Sequence, residues 1–177
     1  MTALPSWMKP ESAAIHPVSI KNFKNGQIPA GLLKSCGIRQ FGMIEPAAGA
    51  MRAMVVAAAK DGVSISATGT YRSYQGQVNL FLKRYQNTPS YTGARHEVWD
   101  GKQWWLRKGV AGAAVPGTSN HGWGLAADLA RKNKIGRVVA LDAVTLQWLH
   151  TNGPKFGFYN TVTSENWHWC YCLGDKL

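Results

Sequence analysis

Apolar residues recur along this chain with two periods, and the switches between them outline the elements. Between Pro46 and Lys60, Met51, Met54, Val55 and Ala58 fall at i, i+3, i+4 and i+7, one face of a helix that Gly62 ends. Val63 to Thr70 alternates small polar with apolar residues and predicts a strand. Val78, Phe81, Leu82 and Tyr85 repeat the helical spacing and predict a second helix. Leu125 to Ala130 is an apolar string broken only by Asp128, which reads as a buried strand ending at that carboxylate. A third helix puts Leu141, Val144 and Trp148 on one face, with Asp142 as its cap, and runs out at Gly153-Pro154. A short β segment, Phe156 to Tyr159, then leads toward Trp167-His168-Trp169. The helical stripes are read as core.

Two stretches break the pattern. Residues 1–40 carry Pro5, Pro10, Pro17, Pro29, Gly26 and Gly31 without any period, and are expected to wrap the core as an irregular arm. Residues 88–116 form a polar, aromatic insertion. Within it Asp100-Gly101 lies between β-friendly flanks, the signature of a two-residue hairpin turn. Trp99, Trp104 and Trp105 there either shape a groove or simply pack the hairpin, and packing needs fewer assumptions.

At 177 residues, with 45% apolar and 16% charged positions, the chain reads as one globular domain rather than a disordered one. No run of 18 or more apolar residues is present, so no spanning helix is expected. The run from Met1 to Pro10 lacks the apolar stretch of a secretory signal, so the protein is expected to be made in the cytoplasm. Net charge is +11, which favours a polyanionic partner. The basic residues are scattered, with no recognition-helix or RNP-like pattern, which speaks against a nucleic-acid reader. A soluble surface explains the same charge. Three cysteines, Cys36, Cys170 and Cys172, cannot supply four zinc ligands, and reduced, partly buried thiols are the default.

Chemistry concentrates in three places. Ser119-Asn120-His121-Gly122-Trp123-Gly124 precedes the string that holds Asp128, and glycines 122 and 124 allow a sharp turn between the two. Glu165 and His168 form a second group, three residues apart, with Glu165 expected in the turn and His168 in the strand after it. Two imidazoles and a carboxylate make the donor set of a catalytic zinc site, and a further carboxylate can act as base. A carboxylate in an apolar strand is costly unless a cation pairs with it. Singly, each residue has a plainer reading: a packed core histidine, a strand-end cap. The conjunction carries the inference. Third, Thr70-Tyr71-Arg72-Ser73 puts an arginine at a strand-to-helix junction with Gln77 five residues on, suited to steadying an oxyanion or to bracing the core. His16, His96 and His150 have no such company, and Glu97 reads as solvated.

These residues together resemble the zinc D-alanyl-D-alanine carboxypeptidase family of the vancomycin-resistance type, with its phage endolysin relatives. The matches are Ser119, His121, Gly124, Ala126 and Asp128; Glu165, His168 and Trp169; and Tyr71, Arg72, Ser73 and Gln77, within residues 45–172. The resemblance implies one zinc ion on His121, Asp128 and His168, with Glu165 as base and Arg72 stabilising the tetrahedral intermediate. Gln77 and Ser119 would position substrate. It also implies an α+β fold of the hedgehog/DD-peptidase type, a small antiparallel sheet with helices packed on it. The implied substrate is the peptidoglycan stem peptide, cut by a phage-type endopeptidase at L-Ala-D-Glu or a similar bond. A D-alanyl-D-alanine carboxypeptidase is the alternative. On that reading the protein is a monomer acting at the anionic wall of a bacterial host, without nucleic-acid or membrane partners. A non-catalytic zinc module for wall binding is the rival of another class.

Overall fold

Helix α1 (Ala47–Lys60) forms where the sequence predicts it, with Met51, Met54 and Ala58 fully buried and Val55 half-buried. The computed structural model describes residues 4–38, 42–89 and 91–176. Gly62 closes the helix in the left-handed region at φ 73°, and the Val63 N–H returns to the Ala58 carbonyl at 2.8 Å. Strand β3 (Ser66–Gly69) occupies only part of the predicted Val63 to Thr70 stretch.

Helix α2 (Tyr74–Arg84) starts on a Ser73 cap, whose hydroxyl accepts the Gly76 N–H at 3.1 Å. Its buried face differs from the expected one. Gln77 and Phe81 point inward, Leu82 is 38% exposed, and Tyr85 is buried from beyond the helix. The reason lies in the partners: Gln77 is tied to Arg72 and to the Ala114 carbonyl, and that rotates Leu82 outward. Tyr85 begins β4 (Tyr85–Gln86) and stacks on Phe81 with ring centroids 4.4 Å apart.

The insertion is a hairpin, β5 (His96–Trp99) and β6 (Lys102–Leu106), with β4 added on the other side of β6. Its turn uses positive φ at both Asp100 (52°) and Gly101 (69°), the combination that matches strand twist. Trp99 and Trp104 pack edge-on against Phe81 and so belong to the hairpin's own core.

The central sheet runs β3, β7 (Ala126–Lys132), β10 (His168–Tyr171), β9 (Phe158–Asn160), all antiparallel, with β8 (Val138–Val139) on the end of β7. Here Asp128 lies third in a seven-residue strand. The expected stop at Asp128 is therefore a correction: β7 is held on both sides by β3 and β10, and pairing carries it through the charged position. Helix α3 (Ala143–Asn152) is capped by Asp142, which accepts from the Thr145 N–H (2.9 Å) and hydroxyl (2.7 Å). That clamp turns Thr145 inward. The buried stripe is Thr145 and Leu149, and Val144, predicted inside, is 70% exposed. His150 of α3 stacks on Trp169 of β10, placing the helix on the Trp169 side of the sheet.

The N-terminal arm is less irregular than its prolines suggest. It holds three short 3-10 turns and β1 (Leu33–Ser35), paired with β2 (Gly42–Ile44), and gives Ile20, Ile28, Cys36 and Ile38 to the core. Residues 1–3 and 39–40 of the expected arm lie outside the described residues. Cys36, Cys170 and Cys172 are buried and form no disulfide. No helix among the described residues is long and apolar enough to cross a membrane.

Candidate active site

Asp128 is opposed on one side by Gly69 of β3 and on the other by His168 of β10. Directly opposed residues of an antiparallel pair point to the same face, so register alone sets His168 beside Asp128. The neighbours Ala127 and Trp169 point to the opposite face, toward α3. His121 arrives by another route. Ser119 caps a 3-10 turn, Asn120–Trp123, its hydroxyl accepting the His121 N–H at 3.3 Å, and Gly124 at φ 69° turns the chain into β7. The arm braces that turn. The Asn25 amide donates to the Ser119 carbonyl at 2.7 Å, and it lies so close to Gly122 that any Cβ there would collide with it.

The three side chains converge on one point. His121 Nε2 lies 3.2 Å and His168 Nδ1 3.3 Å from the same Asp128 oxygen, and one donor atom from each residue falls within 4.8 Å of the others. His121 Nδ1 donates to the Thr70 carbonyl at 2.6 Å, which fixes the orientation of the ring and turns Nε2 toward Asp128. Burial pushes the Asp128 carboxyl upward, yet the hydrogen bonds and charge of His121 and His168 outweigh it and hold it well below the usual carboxylate range. Two imidazoles and one carboxylate are zinc's preferred kind of ligands, and three of them leave a coordination position open. The residues fit the metal.

Around this group lies a cavity of about 470 Å³ whose walls include Arg72, Ser119, Glu165 and Trp167. Arg72 Nη2 stands 3.7 Å from the second Asp128 oxygen, and Arg72 Nη1 donates to Gln77 Oε1 at 2.9 Å. Burial pulls the Arg72 guanidinium down from its ordinary value, while Asp128 pushes it back up. Gln77 is 2% exposed, and its amide is spent on Arg72 and on the Ala114 carbonyl (2.7 Å). It sits behind Arg72 rather than in the cavity wall. Glu165 occupies the turn before β10, where its N–H bonds the Val162 carbonyl and its carbonyl accepts the His168 N–H at 3.0 Å. The Asn160 amide clamps that turn, donating to the carbonyls of both Glu165 and His168. Glu97 pairs with Arg95 at 2.6 Å instead of being solvated.

Residues 41–175 match the model of a family described as VanY, D-alanyl-D-alanine carboxypeptidase. This chain belongs to the VanY family. Membership makes it an enzyme of the peptidase class, and His121, Asp128 and His168 form a group that could hold a metal ion. Solved structures share the fold. A variant of the vancomycin-resistance D,D-pentapeptidase VanY from a VanB-type cassette, in complex with Zn(II), superposes with a TM-score of 0.55 at 22% identity, covering 82% of this chain and 83% of that one. VanYB in complex with D-Ala-D-Ala gives 0.54 at 22% identity, with 85% of each chain covered. The LdcB LD-carboxypeptidase, whose structure concerns peptidoglycan recognition, gives 0.52 at 23%, covering 93% of this chain and 72% of that one. No curated protein matches in sequence. The expected α+β arrangement, helices on small antiparallel sheets, is the one found.

Sequence reasoning missed the supports. Thr70 acts through its carbonyl, and Asn25 and Asn160 are single amides far from any motif. Arg84 and Arg95 also line the cavity. Only the position of Arg84 one helical face along from Gln77 could have signalled it.

Proposed function

We propose that this protein is a zinc peptidase that hydrolyses a peptide bond in the stem peptide of bacterial peptidoglycan, acting at the wall as a lytic endopeptidase. The observation that carries the reading is the convergence of His121, Asp128 and His168 on one point, with Arg72 and Glu165 in the wall of the same cavity. When bound, zinc supplies a Lewis acid and lowers the pKa of a water molecule to about 7. Glu165 is the group placed to take a proton as attack begins and to pass it to the leaving amine. Arg72, held by Gln77, offers N–H donors where negative charge gathers on the scissile carbonyl. Ser119 spends its hydroxyl on the His121 turn, so its part is to hold that ligand while its side chain borders the substrate. The net charge of +11 favours retention on an anionic wall.

A second reading, D-alanyl-D-alanine carboxypeptidase, is favoured by the family description and by the D-Ala-D-Ala complex of a protein sharing the fold. Digestion of purified peptidoglycan followed by mass spectrometry separates the two. New internal termini mark an endopeptidase; loss of one C-terminal alanine marks the carboxypeptidase. Glu165→Ala is expected to keep its zinc and to lose at least about 10²-fold in rate, the usual scale for a lost acid-base group. Parental rates in that variant would remove Glu165 from the reaction, and an inactive parent with full zinc would leave a binding module.

A further inference from the structure

The cavity extends beyond the metal ligands to a cationic end that the chemistry above does not use. Arg84, from the last turn of α2, and Arg95, just before β5, both line it and both reach Gly112. Arg84 Nη1 donates to the Gly112 carbonyl. Arg95 Nη1 would stand 3.2 Å from a Cβ on that glycine, which places the guanidinium against the same stretch of backbone. Each arginine is gripped from behind. Glu97 holds Arg95 through Nε (2.9 Å) and Nη2 (2.6 Å), leaving Nη1 without an acceptor among the described residues. Arg84 keeps Nε and Nη2 in the same condition and has no carboxylate within 4.0 Å among those residues. Beside them the Tyr85 hydroxyl is buried with no hydrogen-bond partner among the described residues, and it too would stand 3.3 Å from a Gly112 Cβ.

Two like charges converging on one glycine repel each other, and a half-buried guanidinium without a counter-charge is unfavourable. Both costs fall if an anion enters. Planar forks with free N–H groups suit a carboxylate above other anions of a peptide. The chain from Ala111 to Ala114 also lines the cavity, and the Ala114 carbonyl accepts from Gln77 behind Arg72. A peptide that fills the cavity from Arg72 to this end therefore brings a carboxylate to the two arginines.

We propose that Arg84 and Arg95 form a carboxylate subsite that fixes the register of the substrate peptide in this cavity. The proposal rests on the peptidase reading for the identity of the peptide. The carboxylate is either the C-terminus of the stem peptide or a free carboxylate inside it, and amidation tells them apart. Binding to the zinc-loaded Glu165→Ala protein is measured by calorimetry for three stem peptides: all carboxylates free, C-terminus amidated, or internal D-Glu carboxylate amidated. One of the two amides is expected to bind at least about tenfold more weakly, and that one identifies the source. Arg95→Gln and Arg84→Lys should bring the free-carboxylate peptide down toward the level of that amide and leave the amide unchanged. Arg95→Gln alters a side chain that is 63% exposed, so folding does not confound it. Equal binding of all three peptides, undiminished discrimination in both variants, or binding of none would overturn the subsite. Cleavage by the parent enzyme is scored separately. Normal cleavage without discrimination sinks the subsite alone, whereas discrimination without cleavage sinks the peptidase reading alone.

Discussion

Asp128 is bound on two sides by imidazoles and faced on a third by Arg72, so one carboxylate links the two imidazoles to the guanidinium. Gln77 then fixes Arg72 from behind, and its own amide N–H is satisfied by Ala114. Gln77→Leu keeps the volume and leaves a guanidinium N–H and the partly buried Ala114 carbonyl without these partners. Hydrogen bonds to charged groups are worth about 1.5–3 kcal/mol, so the variant is expected to lose stability on that scale in urea unfolding while zinc content stays intact. On the role proposed for Arg72, which acts on charge that develops only during reaction, it should also lower kcat more than it raises KM. A KM effect alone would return Gln77 to a substrate contact. The meeting of His121, Asp128 and His168 was legible in part because Asp128 is a carboxylate in an apolar string and His168 stands between two tryptophans. Asn25, Asn160 and the Thr70 carbonyl were not, since their roles depend on which backbone groups the fold brings near them.

Elements follow the same division between what periodicity states and what partners decide. Helix α1 is legible because its whole stripe meets apolar neighbours. In α2 and α3 a polar residue, Gln77 or Thr145, takes an inward position through specific hydrogen bonds, and hydrophobic spacing carries no sign of it. The hairpin turn was legible because Asp100-Gly101 supplies a backbone conformation that few pairs adopt. Asp142 is the one polar anchor the pattern did reveal. Asp142→Ala removes the cap from α3 and the acceptor for the Thr145 hydroxyl, and is expected to cost about 1–2 kcal/mol by thermal or urea unfolding. Because α3 packs on the Trp169 face, away from the metal ligands, zinc affinity should not change. A loss of zinc in that variant would mean that the two faces of the sheet are energetically coupled.

At the scale of the molecule, the metal group joins parts of the chain that share little else. His121 comes from a turn braced by the arm, Asp128 from the centre of the sheet, and His168 from a strand forty residues further on. The unfolded chain cannot assemble that set, so zinc binds the native state and stabilises it by mass action. At free zinc one hundred times Kd the gain is about 2.7 kcal/mol. For a chain of this size that corresponds to a rise in Tm of roughly 5–11 °C. Thermal unfolding of the chelator-treated protein, with and without added zinc, measures it. Protons compete with the metal for the imidazole nitrogens and the carboxylate, so the shift should shrink as pH is lowered. His121→Ala should show almost none of it at any pH. A Tm that ignores zinc in the parent, or rises equally in His121→Ala, would place the metal somewhere other than between these three side chains.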